Sequence, residues 1–372
     1  MCEGRRQLGH VDDPLVRSAP ALSGCFTLGS LVLAGLAAGL AFAWLGLGLS
    51  WWSGALALGV ALLALASRAL ATRTRYAARL AGAGILLLVG PWLFRGLLMR
   101  ERDGVRLTTL PGDSGARLVS TLYPEPDGAL AAASLLQAVG GLHDEEAGQF
   151  REILEQAYAR TEPAAKSFAT PAIPTYLGLE TEAAFDTIVI EPRPAGARKP
   201  DAAVIFLHGY AGNFYVYCWE LAQAASEAKL ITLCPSVDAS GAWWTPVGDR
   251  TLRATLDYAH GLGARRVYLA GLSNGAAGAS VLALKYPLDF SGLVLISGTR
   301  ADTPPSMPVL VVQGATDRMM PASYARAYAT RGHAVRYYEV PGGHLVFLSR
   351  YQRVRPVIAD FLSSLEKKAG AR

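Results

Sequence analysis

Charged residues are scarce in this chain, and long stretches near its start contain none. Asp, Glu, Lys and Arg make up 17% of the 372 residues, and the mean hydropathy is +0.25. These values are too apolar for an ordinary soluble protein. The scarcity is concentrated in residues 24–100, which indicates membrane-spanning segments there rather than a uniformly apolar chain.

Cysteine is also rare, and its spacing disfavours the common zinc sites. The four cysteines are Cys2, Cys25, Cys218 and Cys234, with no Cys-x-x-Cys pair and no histidine at metal-ligand spacing. We therefore expect no metal site. Cys218 and Cys234 could pair in an oxidising compartment, but buried free thiols are the more frequent arrangement, and that is our expectation.

Basic side chains are present without the interleaved aromatic residues that mark nucleic-acid-binding surfaces. The net charge is +5, and it is carried mainly by arginines, many of which flank the apolar segments. This arrangement is typical of membrane topology signals, so we expect a lipid bilayer as a partner and no nucleic acid.

Three apolar segments are candidates for membrane-spanning helices. They cover residues 26–49, 54–70 and 80–99, and a bilayer core about 30 Å thick needs roughly 20 apolar residues in a helix. The third is the least regular, since it contains Pro91 and Arg95. The alternative is a buried helical bundle in a soluble domain, which the lack of charge over such lengths disfavours.

The placement of arginine predicts the orientation of these segments. The tail and the loop at 68–79 are basic, whereas the break near Ser50 is uncharged, so tail and loop are expected in the cytoplasm. If the third segment spans, everything after residue 99 lies outside; if it does not, everything stays inside. We expect the outer side, and the arginine- and alanine-rich composition indicates a bacterial inner membrane.

Residues 101–184 are interpreted as a helical connecting region. The spacing of apolar residues predicts helices over 128–140 and 144–160, and the composition of 162–174 predicts a linker. We expect a stalk that packs on the main domain, with a partial lid over an active site as the alternative. The predicted division of the chain is a cytoplasmic tail at 1–23, a membrane region at 24–100, the connecting region at 101–184 and a main domain at 185–372.

From residue 185 onward, predicted strands and helices alternate. Strands are predicted over 187–191, 203–207, 230–234, 266–270, 292–296, 309–313 and 336–340, and helices over 216–228, 249–262, 276–286, 322–331 and 351–365. Near-continuous apolar strands alternating with helices are typical of a mostly parallel sheet covered on both faces. The fold class is therefore α/β, and functional residues are expected at the carboxyl ends of the strands.

The motif Gly271-Leu272-Ser273-Asn274-Gly275 lies between a predicted strand and a predicted helix. A Gly-x-Ser-x-Gly in this context is typical of a nucleophile elbow, a tight turn that exposes the serine hydroxyl above the sheet. Glycine is needed two positions on either side of the serine because larger side chains would clash in the turn. The helix N-terminus next to Ser273 favours developing negative charge.

A candidate acid and a candidate base follow later strands. Asp317 follows the strand at 309–313, and His344 follows the strand at 336–340. A serine hydroxyl needs a base of near-neutral pKa, which histidine supplies, and a carboxylate holds the imidazole in one tautomer. Ser273, Asp317 and His344 are therefore the predicted catalytic residues, with Asp302 as the alternative acid.

The order Ser, Asp, His along the chain resembles that of the α/β-hydrolases. The motifs that carry the resemblance are HGYAGN at 208–213, GLSNG at 271–275, QGATD at 313–317 and GGH at 342–344. The resemblance covers about half of the chain, residues 185–366. It is closest to compact esterase and peptidase-like members that have no large cap after the strand at 292–296. It implies a serine hydrolase that requires no cofactor.

Two backbone N–H groups are expected to form an oxyanion hole, those of Tyr210 and Asn274. His208 is expected to support the loop that carries Tyr210 by hydrogen bonding and not to act as the base. Trp243, Trp244 and Asn213 are candidate substrate-binding residues, and ordinary packing is an equal alternative for the two tryptophans.

The sequence thus predicts a membrane-anchored serine hydrolase, specifically a carboxylesterase that acts on a small-molecule or lipid-like acyl substrate through an acyl-enzyme. A serine peptidase or amidase is one alternative. A binding protein that keeps the fold without turnover is the other.

Overall fold

The computed structural model describes residues 19–47, 49–72, 74–98, 104–110, 123–161, 170–192 and 201–371. The chain separates into two compact units, Met1–Phe94 and Arg95–Arg372. Most of the predicted tail, residues 1–18, lies outside the described residues, as do Met99 and positions 162–169 of the predicted linker.

The described residues of the N-terminal part of the chain form three helices. Helix α1 covers Ala19–Leu47, α2 covers Trp51–Ala71, and α3 covers Ala77–Leu98 and contains Pro91. The segments Thr27–Gly46 and Trp51–Ala71 are long and apolar enough to cross a membrane, and Ala77–Pro91 is a shorter apolar helix. Many large apolar side chains of these helices are exposed, among them Leu31, Leu36, Phe42, Leu58, Leu65 and Leu86. Exposed large apolar side chains in this number are typical of contact with lipid or with another protein.

The second unit is organised around an eight-stranded sheet in the order β1-β2-β4-β3-β5-β6-β7-β8. The strands are β1 (Val105–Thr109), β2 (Asp186–Ile190), β3 (Ala202–Leu207), β4 (Ile231–Pro235), β5 (Arg266–Leu272), β6 (Gly292–Ile296), β7 (Val309–Gly314) and β8 (Val335–Val340). Strand β2 runs antiparallel to both of its neighbours, and β3 to β8 are mutually parallel. The prediction of a mostly parallel sheet is confirmed.

Helices cover both faces of this sheet. They are α4 (Glu125–Ala138), α5 (Phe150–Arg160), α6 (Ala172–Tyr176), α7 (Tyr215–Glu227), α8 (Pro246–Gly261), α9 (Asn274–Lys285), α10 (Ala322–Thr330), α11 (Val346–Ser349) and α12 (Tyr351–Gly370). One apolar cluster packs side chains of α7 and α12 against Phe206 of β3. The other packs α8 and α9 against Ile205 on the opposite face. Strands β2 to β7 are buried on both sides, which is why most of them show continuous apolar runs instead of alternation.

The connecting region packs on the main domain, as expected, and also contributes a strand that was not predicted. It supplies β1, which pairs with β2 from Val105–Ile190 to Thr109–Asp186, so it forms the edge of the main sheet. Its helices α4 and α5 pack on Val216 of α7 and Leu348 of α11 in a third apolar cluster.

The expectation that Cys218 and Cys234 are free thiols is wrong, because the two form a disulfide. Cys218 lies on α7 and Cys234 on β4, both side chains are fully buried, and their Cα atoms are 6.1 Å apart. Helix α7 leads directly into β4 and packs beside it, so two cysteines separated by 16 residues meet face to face.

Candidate active site

Ser273 lies in the turn between β5 and α9. Its backbone has φ 56° and ψ −120°, a left-handed conformation that costs a non-glycine residue about 1–3 kcal/mol. The N–H of Ser273 donates to the carbonyl of Ile296 at 2.9 Å, which ties the turn to β6. The side chain is partly exposed at the carboxyl end of the sheet, where a substrate can reach it.

The glycines on either side of Ser273 are required by close backbone approach. A Cβ at Gly271 would overlap the backbone of Gly275, and a Cβ at Gly275 would overlap the carbonyl of Leu207 on β3. The Gly-x-Ser-x-Gly pattern therefore reflects contact between the turn and the neighbouring strand as well as the turn itself.

The structure brings the three predicted catalytic side chains together. The Nε2 atom of His344 lies 2.9 Å from the Oγ atom of Ser273, and its Nδ1 atom lies 2.9 Å from the Oδ2 atom of Asp317. Both His344 and Asp317 are buried. With Nδ1–H donating to the carboxylate, Nε2 is left as an acceptor facing the serine hydroxyl.

Asp317 receives hydrogen bonds at both carboxylate oxygens. Besides His344, the Nε2 group of Gln313 donates to Oδ2 at 2.8 Å, and the N–H groups of Met319 and Met320 donate to Oδ1 at 3.0 and 2.8 Å. These donors hold the carboxylate in one orientation. The alternative acid, Asp302, is exposed, and the Nδ1 bond of His344 goes to Asp317 instead.

His208 holds the peptide group that joins Gly209 to Tyr210. Its Nδ1 atom lies 2.8 Å from the Gly209 carbonyl, and its Nε2 atom accepts from the N–H of Val237 at 3.0 Å. Burial lowers the pKa of His208 to about 4, so the ring is neutral at pH 7, which suits one donor and one acceptor. In a trans peptide the N–H points opposite to the carbonyl, so His208 fixes the direction of the Tyr210 N–H.

The two predicted oxyanion donors are available in the part of the chain that the structure describes. Within that part, neither the N–H of Tyr210 nor that of Asn274 donates to a protein acceptor. Asn274 is the first residue of α9, and its side chain donates to the Ser240 carbonyl at 2.8 Å. That side-chain contact fixes the residue and leaves its backbone N–H free.

The three predicted substrate-binding residues mainly support the loops around the site. Trp243 is fully buried and donates from Nε1 to the His208 carbonyl at 2.9 Å, so packing is the alternative that applies to it. Trp244 is partly exposed beneath the guanidinium of Arg300, 4.2 Å from the ring centroid. Asn213 is buried and donates to the Cys234 carbonyl at 2.7 Å.

Sequence reasoning missed Gln313, Asp144 and Glu146, which also touch this site. Gln313 is a fully buried polar residue at the end of a strand, a signal that could have attracted attention. Asp144 and Glu146 contact the backbone around His344 from about 200 residues away in the sequence, and no local pattern reveals that. Among the described residues, no group of three or more His, Cys, Asp or Glu could hold a metal ion.

No protein-family model matches the chain, and no curated protein matches it. Several solved structures are similar. Est1E from Butyrivibrio proteoclasticus is 15% identical, with a TM-score of 0.43, over 50% of this chain and 96% of that one. The esterase Pf2001 from Pyrococcus furiosus is 16% identical, with a TM-score of 0.40, over 49% of this chain and 88% of that one. XC6422 from Xanthomonas campestris, an α/β serine hydrolase without a lid, is 16% identical, with a TM-score of 0.38, over 48% and 88%.

The fold is assigned from the chain's own topology. Three features are those expected from the sequence: the mostly parallel sheet, the serine turn after β5 and the order Ser, Asp, His along the chain. The second unit of this protein has the α/β-hydrolase fold.

Proposed function

We propose that this protein is a membrane-anchored serine hydrolase that cleaves acyl substrates through an acyl-enzyme. The observation that carries the proposal is the continuous hydrogen-bonded series from Ser273 Oγ through His344 to Asp317, with both links at 2.9 Å. A fold hosts many functions, so we infer the activity from these atoms and not from the topology.

The geometry supports a defined order of proton transfers. Ser273 Oγ attacks the substrate carbonyl carbon while His344 Nε2 accepts the hydroxyl proton, and Asp317 stabilises the imidazolium that forms. His344 then donates that proton to the leaving group as the bond to the acyl carbon breaks. Water subsequently attacks the acyl-enzyme, with His344 again as base, and releases the acid and free Ser273.

The N–H groups of Tyr210 and Asn274 are assigned to the oxyanion of the tetrahedral intermediates. Both are free donors in the described part of the chain, and the N-terminus of α9 adds a favourable dipole. Removing one such donor typically costs about 100–1000-fold in kcat. His208 serves this step indirectly by orienting the Gly209–Tyr210 peptide.

Among acyl substrates we favour carboxylic esters. The connection from β6 to β7 is the short stretch 297–308, which leaves no room for a large cap, and Ser273 is partly exposed. Tyr210, 70% exposed within the oxyanion loop, offers an apolar ring to an acyl or alcohol group. A site of this kind suits small-molecule or lipid-like esters without a deep binding tunnel.

We also propose that the first unit anchors the protein in a membrane with three spans. Helix α3 has 22 residues, about 33 Å at 1.5 Å per residue, which is long enough to cross despite Pro91. Three spans carry the hydrolase domain to the side opposite the basic loop at 68–79. The Cys218–Cys234 disulfide supports that side, because disulfides persist in oxidising compartments.

A fluorophosphonate probe tests the catalytic proposal. The native protein should be labelled covalently, and Ser273→Ala should not, because the probe needs an activated serine oxygen. Equal labelling of the two proteins would remove Ser273 from its role. A native protein that neither takes the probe nor hydrolyses esters would favour the non-catalytic alternative.

Paired ester and amide substrates with the same acyl group separate an esterase from a peptidase or amidase. Because the two substrates share an acyl group, they form the same acyl-enzyme, and a difference in kcat/KM reflects the acylation step. An esterase should show a much higher kcat/KM on the ester. Comparable values for a peptide substrate would favour the peptidase alternative.

Reporter fusions test the topology. Alkaline phosphatase fused at the C-terminus should be active, whereas the same reporter inserted after Arg75 in the basic loop should be inactive. If both fusions are inactive, α3 does not span and the domain faces the cytoplasm.

A further inference from the structure

A short acidic turn between α4 and α5, residues 144–146, lies against the loop that carries His344. It belongs to the region that the sequence analysis interpreted as a stalk, yet it contacts the candidate active site directly. The contacts come from Asp144 and Glu146, and a third acidic residue, Glu145, accepts from the Thr316 hydroxyl next to Asp317.

Asp144 accepts hydrogen bonds from the backbone on both sides of the catalytic pair. Its Oδ2 atom accepts from the N–H of His344 at 3.0 Å and from the N–H of Arg318 at 3.3 Å. Its Oδ1 atom accepts from the N–H of Glu146 at 3.2 Å, which fixes the carboxylate within its own turn. One side chain thus joins the loop of the base to the loop of the acid.

Glu146 extends this attachment by one residue. It is buried, and its Oε2 atom accepts from the N–H of Leu345 at 3.1 Å. Its Oε1 atom accepts from the Ser349 hydroxyl at 2.7 Å at the end of α11. Two consecutive backbone N–H groups of the histidine loop, those of His344 and Leu345, therefore end on carboxylates of this turn.

The chain leaves room for Asp144 by placing glycine before the histidine. A Cβ at Gly343 would overlap the Asp144 carboxylate, and the three nearest atoms it would meet all belong to Asp144. Contact with Asp144 alone therefore explains why position 343 is glycine.

We propose that Asp144 is a positioning residue for the reaction, supported by Glu146, and that it sets the place of the His344 imidazole between Ser273 and Asp317. This inference rests on the proposed function. Among the described residues, the N–H of His344 donates to no backbone carbonyl, so it needs a side-chain acceptor. The carboxylate supplies one, and a charge-assisted hydrogen bond is stronger than a neutral one.

The expected effect is on turnover and not on substrate binding. Asp144 touches the histidine loop and the acid loop, whereas the oxyanion donors and the exposed Tyr210 lie on other elements. A displacement of about 1 Å at a catalytic group can cost roughly 100-fold in rate. Asp144→Ala should therefore lower kcat by about 10- to 100-fold and leave KM within about 3-fold.

The conservative variant shows whether the hydrogen bond is what matters. Asp144→Asn keeps one side-chain oxygen that can accept from the His344 N–H, so it should retain at least about a third of the native kcat. The matched control is Glu152→Ala, which removes an exposed carboxylate from α5 and should leave kcat unchanged. Asp144→Ser replaces Asp144→Ala if the latter does not fold, as judged by thermal unfolding.

A double-mutant cycle with Gly343→Ala gives an independent readout. Alone, Gly343→Ala should lower kcat at least as much as Asp144→Ala, because its methyl group displaces the carboxylate from the loop. In Asp144→Ala/Gly343→Ala that overlap is gone, so kcat should lie within about 3-fold of Asp144→Ala alone.

All variants are assayed as the full-length protein in detergent, with steady-state ester hydrolysis and fluorophosphonate labelling rates. If the native protein turns over, three results would each overturn the positioning role while leaving the proposed function intact. They are a native-like kcat for Asp144→Ala, losses in kcat that simply multiply in the double variant, and a kcat for Asp144→Asn as low as that of Asp144→Ala. A native protein without turnover or labelling would overturn both.

Discussion

The candidate site has two sides that are built in different ways. The nucleophile side, Ser273 with the donors of Tyr210 and Asn274, is shaped by backbone: tight turns, glycines without space for a Cβ and peptides with fixed direction. The acid–base side, Asp317 and His344, is held largely by other side chains, those of Gln313, Asp144 and Glu146.

This difference has a consequence for how each side tolerates change. A backbone turn is specified by local residues and fails completely when they are replaced, since nothing else can produce the same φ and ψ. A side-chain support can be lost in part, because the loop it holds keeps its remaining contacts. We therefore expect substitutions on the nucleophile side to lower the stability of the protein. Substitutions of the side chains that support the acid–base side should instead lower kcat by graded amounts.

The largest effect should come from the acid itself. Asp317→Asn keeps the shape of the side chain but offers an N–H₂ group or a neutral oxygen to His344, which favours the wrong tautomer and no longer stabilises the imidazolium. By analogy with serine hydrolases in general, kcat should fall by about 10⁴-fold. Steady-state ester hydrolysis measures this directly.

Asp302→Asn is the matched control, since Asp302 is the other carboxylate the sequence allowed as the acid. It is exposed, and its substitution should leave kcat within about 2-fold. The opposite pattern, with Asp302 essential and Asp317 dispensable, would mean that the acid–base side is assembled differently in solution.

The nucleophile side was predictable from the sequence because its constraints are local. Gly271, Ser273 and Gly275 are neighbours, and the strand before them and the helix after them have clear apolar patterns. Asp317 and His344 were predictable for a related reason: each follows a buried strand, and the ends of parallel strands meet at one edge.

Asp144 and Glu146 were not predictable as supports of the acid–base side, because their contacts join distant parts of the chain. Nothing around Asp144 indicates that it will accept from His344, 200 residues later. Strand β1 was missed for the same reason: Val105–Thr109 is a short edge strand whose partner lies about 80 residues away. The disulfide needed knowledge of which face of α7 packs on β4, which the sequence does not specify.

Gly275→Ala should have the next largest effect, and on stability. The added methyl group would overlap the Leu207 carbonyl on β3, and backbone at the centre of a sheet cannot move aside. We expect a loss of more than ~3 kcal/mol in the free energy of unfolding, at the upper end for overpacked sites. Urea unfolding in detergent, followed by tryptophan fluorescence, measures it.

Gly261→Ala is the control for the same substitution. Gly261 closes α8, and a Cβ there would meet no atom within 4 Å, so its stability should be unchanged or slightly higher. Equal stability of the Gly275 and Gly261 variants would contradict the view that the nucleophile side is fixed by backbone contact.

The smallest effect concerns His208, which supports the nucleophile side with a side chain and so departs from the pattern there. Burial lowers its pKa to about 4 in the folded protein, whereas the unfolded value is near 6.5. A depressed pKa contributes stability that is present above pH 6.5 and is lost as the pH falls towards 4, on the order of 3 kcal/mol. The stability advantage of native protein over His208→Gln should therefore shrink between pH 7 and pH 4.

Trp243→Phe removes a hydrogen bond to the same segment without removing a titrating group, so its loss of stability relative to native protein should stay constant with pH. If the curves for native protein and His208→Gln run parallel, the imidazole does not stay neutral in the fold, and the direction of the Tyr210 N–H must be fixed by the backbone alone, as it is at Ser273.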